Sequence, residues 1–136
     1  MRLPCEIIII DILPIIRKEL AIELVKMHGI SKARVARIFQ VSGTAISQYI
    51  HGTRGNSSMI EDTPQYEQLL HEIYSSAEKI ASRKKSVMEE LCRLCDFVKS
   101  TGIVNHVYMK DLGEVPVLKC IECPKDNSSA ALLERS

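Results

Sequence analysis

An apolar heptad repeat in the second half of the chain most constrains its fold. Its two core positions are Tyr66, Ile73, Ile80, Val87 and Leu94, and Leu70, Ala77, Lys84, Leu91 and Val98. Nine of these ten residues are apolar, and Lys84 is the exception. Such a stripe predicts one long helix, or two helices broken near Ser82, packed against another apolar surface. Thr63 and Pro64 are typical of a helix start, and Gly102 is typical of a helix end.

Two surfaces can cover this stripe: the N-terminal helices of the same chain, or the same stripe on a second copy. A helix of this length outgrows the core that 136 residues can form. The pattern therefore favours a homodimer that pairs through a helix over residues 64–100.

The N-terminal segment is rich in isoleucine. Its longest aliphatic run, residues 7–10, is far shorter than the roughly 20 residues of a membrane span. The chain is 46% hydrophobic, which excludes wholesale disorder. We therefore expect a cytoplasmic protein with no membrane partner.

Pro14 predicts a helix that restarts near residue 14 and runs to His28, and Gly29 is expected to cap its end.

Residues 32–52 have the spacing of a helix-turn-helix. Ser31 is expected to cap a first helix, and the small side chain of Ala36 lets a second helix cross closely. Val41, five residues later, is expected to fill the turn, and Ile46, ten residues after the alanine, to face the core. Further buried positions are expected at Val35, Phe39, Tyr49 and Ile50.

Over this span the chain resembles the repressor-like helix-turn-helix family, down to Gly52 after the second helix. It departs from the family at Gln40, where a glycine is usual in the turn. Glutamine adopts the left-handed backbone that glycine accepts only at an energetic cost, so a slightly altered turn is expected.

Charge and polarity over the same segment favour double-stranded DNA as the partner. Residues 1–56 carry eight Lys/Arg and four Asp/Glu, whereas residues 57–136 carry ten and thirteen. The expected outward face of the second helix consists of Ser42, Thr44, Ser47, Gln48 and His51. The flanking cations, suited to phosphates, are Lys32, Arg34, Arg37 and Arg54. A glutamine can pair bidentately with adenine, and the hydroxyls can reach base edges or phosphates. The alternative is an ordinary helical hairpin with solvated charges.

Two Cys-x-x-Cys pairs, separated by 24 residues, predict a four-thiolate metal site. The pairs are Cys92 with Cys95, and Cys120 with Cys123. The spacing leaves three alternatives open: a structural zinc site, an iron–sulfur cluster that acts as a sensor, and a disulfide switch. The fifth cysteine, Cys5, is either a small buried residue or an additional redox-active group.

The whole chain to about residue 123 is similar to small archaeal transcriptional regulators with a Cys-rich C-terminal module. The shared pieces are Leu3-Pro4-Cys5-Glu6, Leu13-Pro14-Ile15-Ile16-Arg17, Ser47-Gln48-Tyr49 and the four late cysteines. The resemblance implies a dimeric DNA-binding regulator with an iron–sulfur or metal site, and it makes Cys5 a candidate extra ligand or redox partner. Members often carry a further cysteine and a histidine after the first pair. Here Asn105 stands in place of that cysteine, and His106 is either a spare ligand or an exposed loop residue.

The sequence thus predicts a mainly α fold with four parts. Residues 1–58 form a helix-turn-helix domain, and residues 59–101 form a long helix for dimerisation. Residues 102–124 form a Cys-rich module that Cys92 and Cys95 complete, and residues 125–136 form a flexible tail. Short strands are expected near residues 104–107 and 115–118.

The expected function is redox or iron–sulfur sensing that tunes operator binding, through an iron–sulfur cluster. The alternative is a zinc-stabilised DNA-binding or adaptor protein with no sensing role. The sequence has no Gly-rich phosphate loop and no clustered pair of carboxylates, and no histidine stands beside a cysteine pair at catalytic spacing. An enzyme is therefore not expected, and no small-molecule substrate is evident.

Overall fold

A computed structural model describes residues 3–52 and 60–112, and every regular element in these residues is helical. The elements are α1 (Pro4–Ile7), a π-helical segment (Ile8–Ile12), α2 (Leu13–Lys26), α3 (Lys32–Phe39), α4 (Gly43–Ile50), α5 (Tyr66–Ala81), α6 (Val87–Thr101) and α7 (Ile103–Leu112). The expected mainly α class is confirmed. None of the described helices is both long enough and apolar enough to cross a lipid bilayer.

The N-terminal helix changes its hydrogen bonding just before Pro14, which has no backbone N–H to donate. The preceding turn is π-helical, and the N–H of Leu13 donates to the carbonyl of Ile8, five residues back. The regular α-helix then starts one residue before the proline, close to the predicted position. It ends near Gly29, which takes a left-handed backbone with a φ of 67°. The N–H of Ile30 reaches back across this glycine to the Leu24 carbonyl at 3.1 Å.

Helix α2 lies at the centre of the fold and packs against α3, α4 and α5. Its fully or almost fully buried residues are Ile15, Ile16, Leu20, Ala21 and Leu24. They belong to one continuous core that also includes residues of every other helix. The α3–α4 pair is therefore held on the same core as the heptad helices.

The heptad repeat is divided between two helices, so the single helix expected over residues 64–100 is wrong. The break is the alternative predicted near Ser82. Arg83 has a left-handed backbone with a φ of 62°, which ends α5. Ser86 then caps α6: its Oγ accepts the N–H of Glu89 at 3.1 Å, and the Glu89 carboxylate accepts the Ser86 N–H at 3.4 Å.

The start of α5 also differs from the prediction. The helix begins at Tyr66, and no side chain caps its N-terminus. Thr63, the expected cap, is buried in the preceding turn, where its hydroxyl has no hydrogen-bond partner. The threonine carbonyl instead accepts the Tyr66 N–H at 3.0 Å.

Both halves of the heptad stripe are covered within one chain. Ile73 and Ala77 on α5, and Leu94 and Val98 on α6, are fully buried in the common core. The helices pack against each other, and α5 packs against α2. The length argument for a dimer therefore no longer holds, because the break shortens the helix and the chain covers the stripe itself. The dimer stays a prediction.

The segment after Gly102 is helical, so the strand expected near residues 104–107 is wrong. The glycine has a φ of 87° and ends α6 as predicted, but α7 starts at the next residue. Ile103, Val104 and Val107 are buried at helical spacing, and α7 packs against α1 and α6. The second expected strand, at residues 115–118, and the tail at 125–136 lie outside the described residues.

Candidate functional site

The first helix of the α3–α4 pair is capped as the sequence predicts. Ser31 has an extended backbone, and its Oγ accepts the N–H of Arg34 at 3.2 Å. Val35 and Ala36 are buried on the inner face of α3. The alanine belongs to the common core, and α3 packs against α4.

The turn between the helices has the left-handed geometry that was predicted to be costly for glutamine. Gln40 has a φ of 56° and a ψ of 44°. Its N–H donates to the Arg37 carbonyl at 3.1 Å, and the Val41 N–H donates to the Ala36 carbonyl at 3.0 Å. These bonds close the turn and bring the partly buried valine against the core. The glutamine thus takes the conformation that glycine adopts more easily.

The second helix presents its predicted inner face to the core. Ala45, Ile46 and Tyr49 are buried, and Ile50 is partly buried. Ser42 caps the helix, because its Oγ accepts the N–H of Ala45 at 3.1 Å. The hydroxyl accepts one bond from the helix N-terminus and keeps its O–H to donate, so the expected contact of Ser42 with DNA stays a prediction.

The remaining predicted DNA-contacting residues lie on the outer surface of this pair, with varying exposure. Those that are well exposed are Lys32, Arg37, Thr44 and His51, whereas Arg34, Ser47 and Gln48 are partly exposed. Arg54 lies outside the described residues. The pair therefore presents hydroxyl, amide and imidazole groups from α4 beside cations from α3. Neither helix contains an acidic residue.

A groove of about 1000 Å³ opens beside the turn of the helix pair. It lies between that turn, the first half of α6, the α5–α6 loop (residues 82–86) and the start of α2. Apolar side chains line it, among them Leu13, Ile38, Phe39, Val41, Ile80 and Leu91. Its charged lining residues are Arg17, Arg34, Arg83, Lys84 and Lys85, and Glu89. The groove is thus apolar in its lining and strongly cationic.

Sequence reasoning missed this groove because its walls come from distant segments of the chain. One signal for the groove was available in the sequence. Lys84 is the only polar residue at the core positions of the heptad repeat, and it stands within an Arg-Lys-Lys run. Those three consecutive cations form the loop that breaks the repeat.

Both cysteines of the first predicted pair line the groove. Cys92 is exposed, Cys95 is partly buried against the core, and neither forms a disulfide within the described residues. Three residues apart on α6, they are close to the same helical face. Cys120 and Cys123 lie outside the described residues. Within residues 3–52 and 60–112 no group of three metal-binding side chains is present, so the four-thiolate site stays a prediction.

The other candidate ligands are separate from this thiol pair in the chain and differ in setting. Cys5 is partly buried on α1, at the other end of the sequence. His106 was expected in a loop but lies on α7, where its Nε2 is 3.3 Å from Asp62 Oδ1. Asn105 is exposed on the same helix. The histidine therefore has a structural partner that links α7 to the turn before α5.

A buried polar cluster joins α5 to α6, next to the thiol pair, and sequence reasoning did not find it. Glu90 is only 2% exposed, and its Oε1 accepts hydrogen bonds from Ser76 Oγ at 2.7 Å and Arg93 Nε at 3.0 Å. The arginine also donates to Ser76 Oγ at 2.8 Å and forms an ion pair with Glu72. Lys79 Nζ lies 3.9 Å from the same Glu90 oxygen.

Opposing effects act on the buried carboxylate. Burial raises the pKa of Glu90, but the hydrogen bonds from Ser76 and Arg93 and the charges of Arg93 and Lys79 outweigh it. The net effect holds the pKa below the ordinary value of 4.5, so the group stays ionised. An ionised carboxylate that accepts hydrogen bonds from both α5 and α6 fixes the relative position of the two helices, and hence the helix that carries the cysteines.

No protein-family model matches this sequence, and no characterised protein or solved structure with significant similarity was found.

Proposed function

We propose that this protein is a sequence-specific regulator that binds double-stranded DNA through the α3–α4 helix-turn-helix. The observation that carries the proposal is the arrangement of this pair. Two capped eight-residue helices meet at a left-handed turn, with Ala36 buried on the inner side of α3 and a polar, acid-free outer surface. This is the arrangement in which a second helix enters the major groove.

Two kinds of side chain on the outer surface are suited to different parts of DNA, the bases and the phosphates. Gln48 can read adenine bidentately, and Ser47 and Thr44 can contact base edges or phosphates. Lys32 and Arg37 place exposed cations beside α4, where they can fix the helix pair on the phosphate backbone.

The proposed regulation rests on a thiolate-bound centre, with an iron–sulfur cluster as the first candidate and zinc as the alternative. Cys92 and Cys95 fit such a centre because they lie three residues apart on one helix and line the same groove. Cys120 and Cys123 would supply the other two thiolates. An iron–sulfur cluster would respond to oxidants, whereas zinc would hold the segments together without redox chemistry.

A homodimer is part of the proposal, because one helix pair reads only a half-site and tight binding of an operator needs two. The heptad seam is covered within the chain, so the dimer needs another apolar surface. Ile9 and Ile10 are each about 60% exposed on the π-helical segment and are the best candidates.

Fluorescence anisotropy with duplex DNA tests DNA binding directly. Arg37→Ala should weaken binding to every sequence and reduce the slope of log K against log salt by about one. Lys26→Ala is the matched control, since Lys26 is an exposed cation outside the helix pair. Equal effects of the two substitutions, or no duplex binding by the wild type, would contradict the proposal.

A spectrum and metal analysis of anaerobically purified protein separate the two candidate centres. Visible absorption with stoichiometric iron and sulfide would identify a cluster. A colourless protein with one zinc ion per chain would leave a constitutive helix-turn-helix held by a structural metal.

A further inference from the structure

The thiol pair and the turn of the helix pair line the same groove. Cys92 and Cys95 contribute to its lining from α6, and Phe39, Gln40 and Val41 contribute from the α3–α4 turn. Whatever completes the coordination of these thiols must therefore enter a space that the α3–α4 turn borders.

The chain beyond α7 is long enough to reach this space. Leu112 follows Cys95 by 17 positions, which span at most about 26 Å if α6 and α7 ran as one straight helix. The eight residues from Leu112 to Cys120 cover about 28 Å when extended. Because α7 packs back against α6, the real separation is shorter than this limit. Cys120 can therefore reach the first pair with α6 and α7 in place.

Charge in the groove fits the centre that four cysteines would form. The negative charge of four thiolates exceeds the positive charge of one divalent ion, so a zinc or cobalt centre of this kind keeps a net negative charge. The groove is bordered by Arg17 and Arg34 and by three consecutive cations, Arg83, Lys84 and Lys85. These cations complement the negative charge of such a centre.

The apolar lining fits the sequence around the second pair. Phe39 and Leu91 line the groove, and Val115, Val117, Leu118 and Ile121 surround the late cysteines in the chain. Burial of such side chains in a groove of this size removes apolar surface from water on both partners.

We propose that the segment over residues 114–123 docks in this groove, so that the four-thiolate centre forms against the α3–α4 turn. This inference rests on the thiolate centre of the proposed function, but not on DNA binding. The docked segment would contact Phe39 and Gln40 in the turn that precedes the DNA-reading helix. Loss of the centre would remove these contacts. Metal loading and duplex affinity are then thermodynamically linked.

Nuclear Overhauser measurements on the full chain loaded with Zn²⁺ test the docking. The chain has only two phenylalanines, which makes their ring signals easy to separate. Phe39 lines the groove and should show contacts to methyl groups of residues 115–121, whereas Phe97 is not a lining residue and serves as the internal control. Contacts to the Phe39 ring that vanish on chelation support the proposal. Their absence from a protein that binds Zn²⁺ through all four cysteines overturns it.

Co²⁺ titration of the full chain, followed by thiolate-to-metal absorption, supplies a second readout. Arg83→Glu should weaken Co²⁺ binding on the order of tenfold, because it reverses a charge beside an anionic centre. Lys26→Glu, the matched reversal outside the groove, should leave it unchanged. Equal effects, or Co²⁺ binding that survives Cys120→Ser, would contradict the inference even where duplex binding by α4 is intact. Reduced duplex binding by Arg83→Glu with unchanged Co²⁺ binding would assign the groove to DNA phosphates and overturn docking.

Discussion

Ser76→Ala should destabilise the fold by about 2 kcal/mol, because Ser76 lies at the centre of the buried cluster between α5 and α6. Its hydroxyl donates to Glu90 at 2.7 Å and accepts from Arg93 at 2.8 Å. A hydrogen bond to a charged partner contributes about 1.5–3 kcal/mol. The carboxylate keeps its bond from Arg93 at 3.0 Å, and alanine has a helix propensity better by about 0.5 kcal/mol, so the net loss is smaller than two full bonds.

Water cannot easily replace the lost hydroxyl. Glu90 is 2% exposed and Ser76 is fully buried, so the carboxylate would lose a donor in a place that solvent does not reach. Ser75→Ala is the matched control: Ser75 is the neighbouring residue on α5 and is exposed. It should be neutral or slightly stabilising.

Urea unfolding followed by far-ultraviolet circular dichroism measures both variants. With an m-value of about 2 kcal/mol/M, the midpoint of Ser76→Ala should fall by about 1 M at unchanged m. A shift equal to that of Ser75→Ala within about 0.5 kcal/mol would refute the reasoning that the cluster ties the two helices together.

Three further predictions test other parts of the structure. Burial and neighbouring carboxylates outweigh the charge of Lys18 and raise the pKa of Glu19 above 4.5. The free energy of unfolding therefore decreases as the pH rises through this raised pKa and the carboxyl group ionises. Glu19→Gln should therefore raise the urea midpoint at neutral pH and give no gain below pH 4.5; equal gains at both pH values would contradict this. Gln40→Gly should raise stability by about 0.5–1 kcal/mol in thermal unfolding, because glycine accepts the left-handed turn, whereas Gln40→Ala should not. The double variant Ile9→Glu/Ile10→Glu should convert the proposed dimer to a monomer in sedimentation velocity; a dimer that survives it would contradict an interface at these two residues.

Local signals in the sequence predicted the parts of the fold that depend on nearby residues. The sequence predicted a helix cap at Ser31 and helix ends at Gly29 and Gly102, and the structure confirms them. Each depends only on hydrogen bonds within a few residues. The burial of Ala36 and Ile46 follows from spacing within one helix pair. These features need no knowledge of the rest of the chain.

The missed features depend on contacts between distant segments or on competing signals. The strand expected near residues 104–107 is helical, because Ile103, Val104 and Val107 find a buried face against α1 and α6 that outweighs the strand preference of β-branched residues. The heptad spacing resumes at Val87 after the single exception at Lys84, so it could not decide between one helix and two. The Glu90 cluster and the cationic groove join residues far apart in sequence, and the only local signal for either is the run of cations at residues 83–85.

In vitro selection from a randomised duplex library tests the central claim, that α4 reads DNA sequence. Wild-type protein should enrich one motif with two related half-sites, and Gln48→Ala should relax the preference at one position of each half-site by about 1–3 kcal/mol while leaving the other positions unchanged. Failure of the wild type to enrich any motif, or an unaltered motif from variants at Gln48, Ser47 and Thr44, would contradict the assignment of α4 as the reading helix.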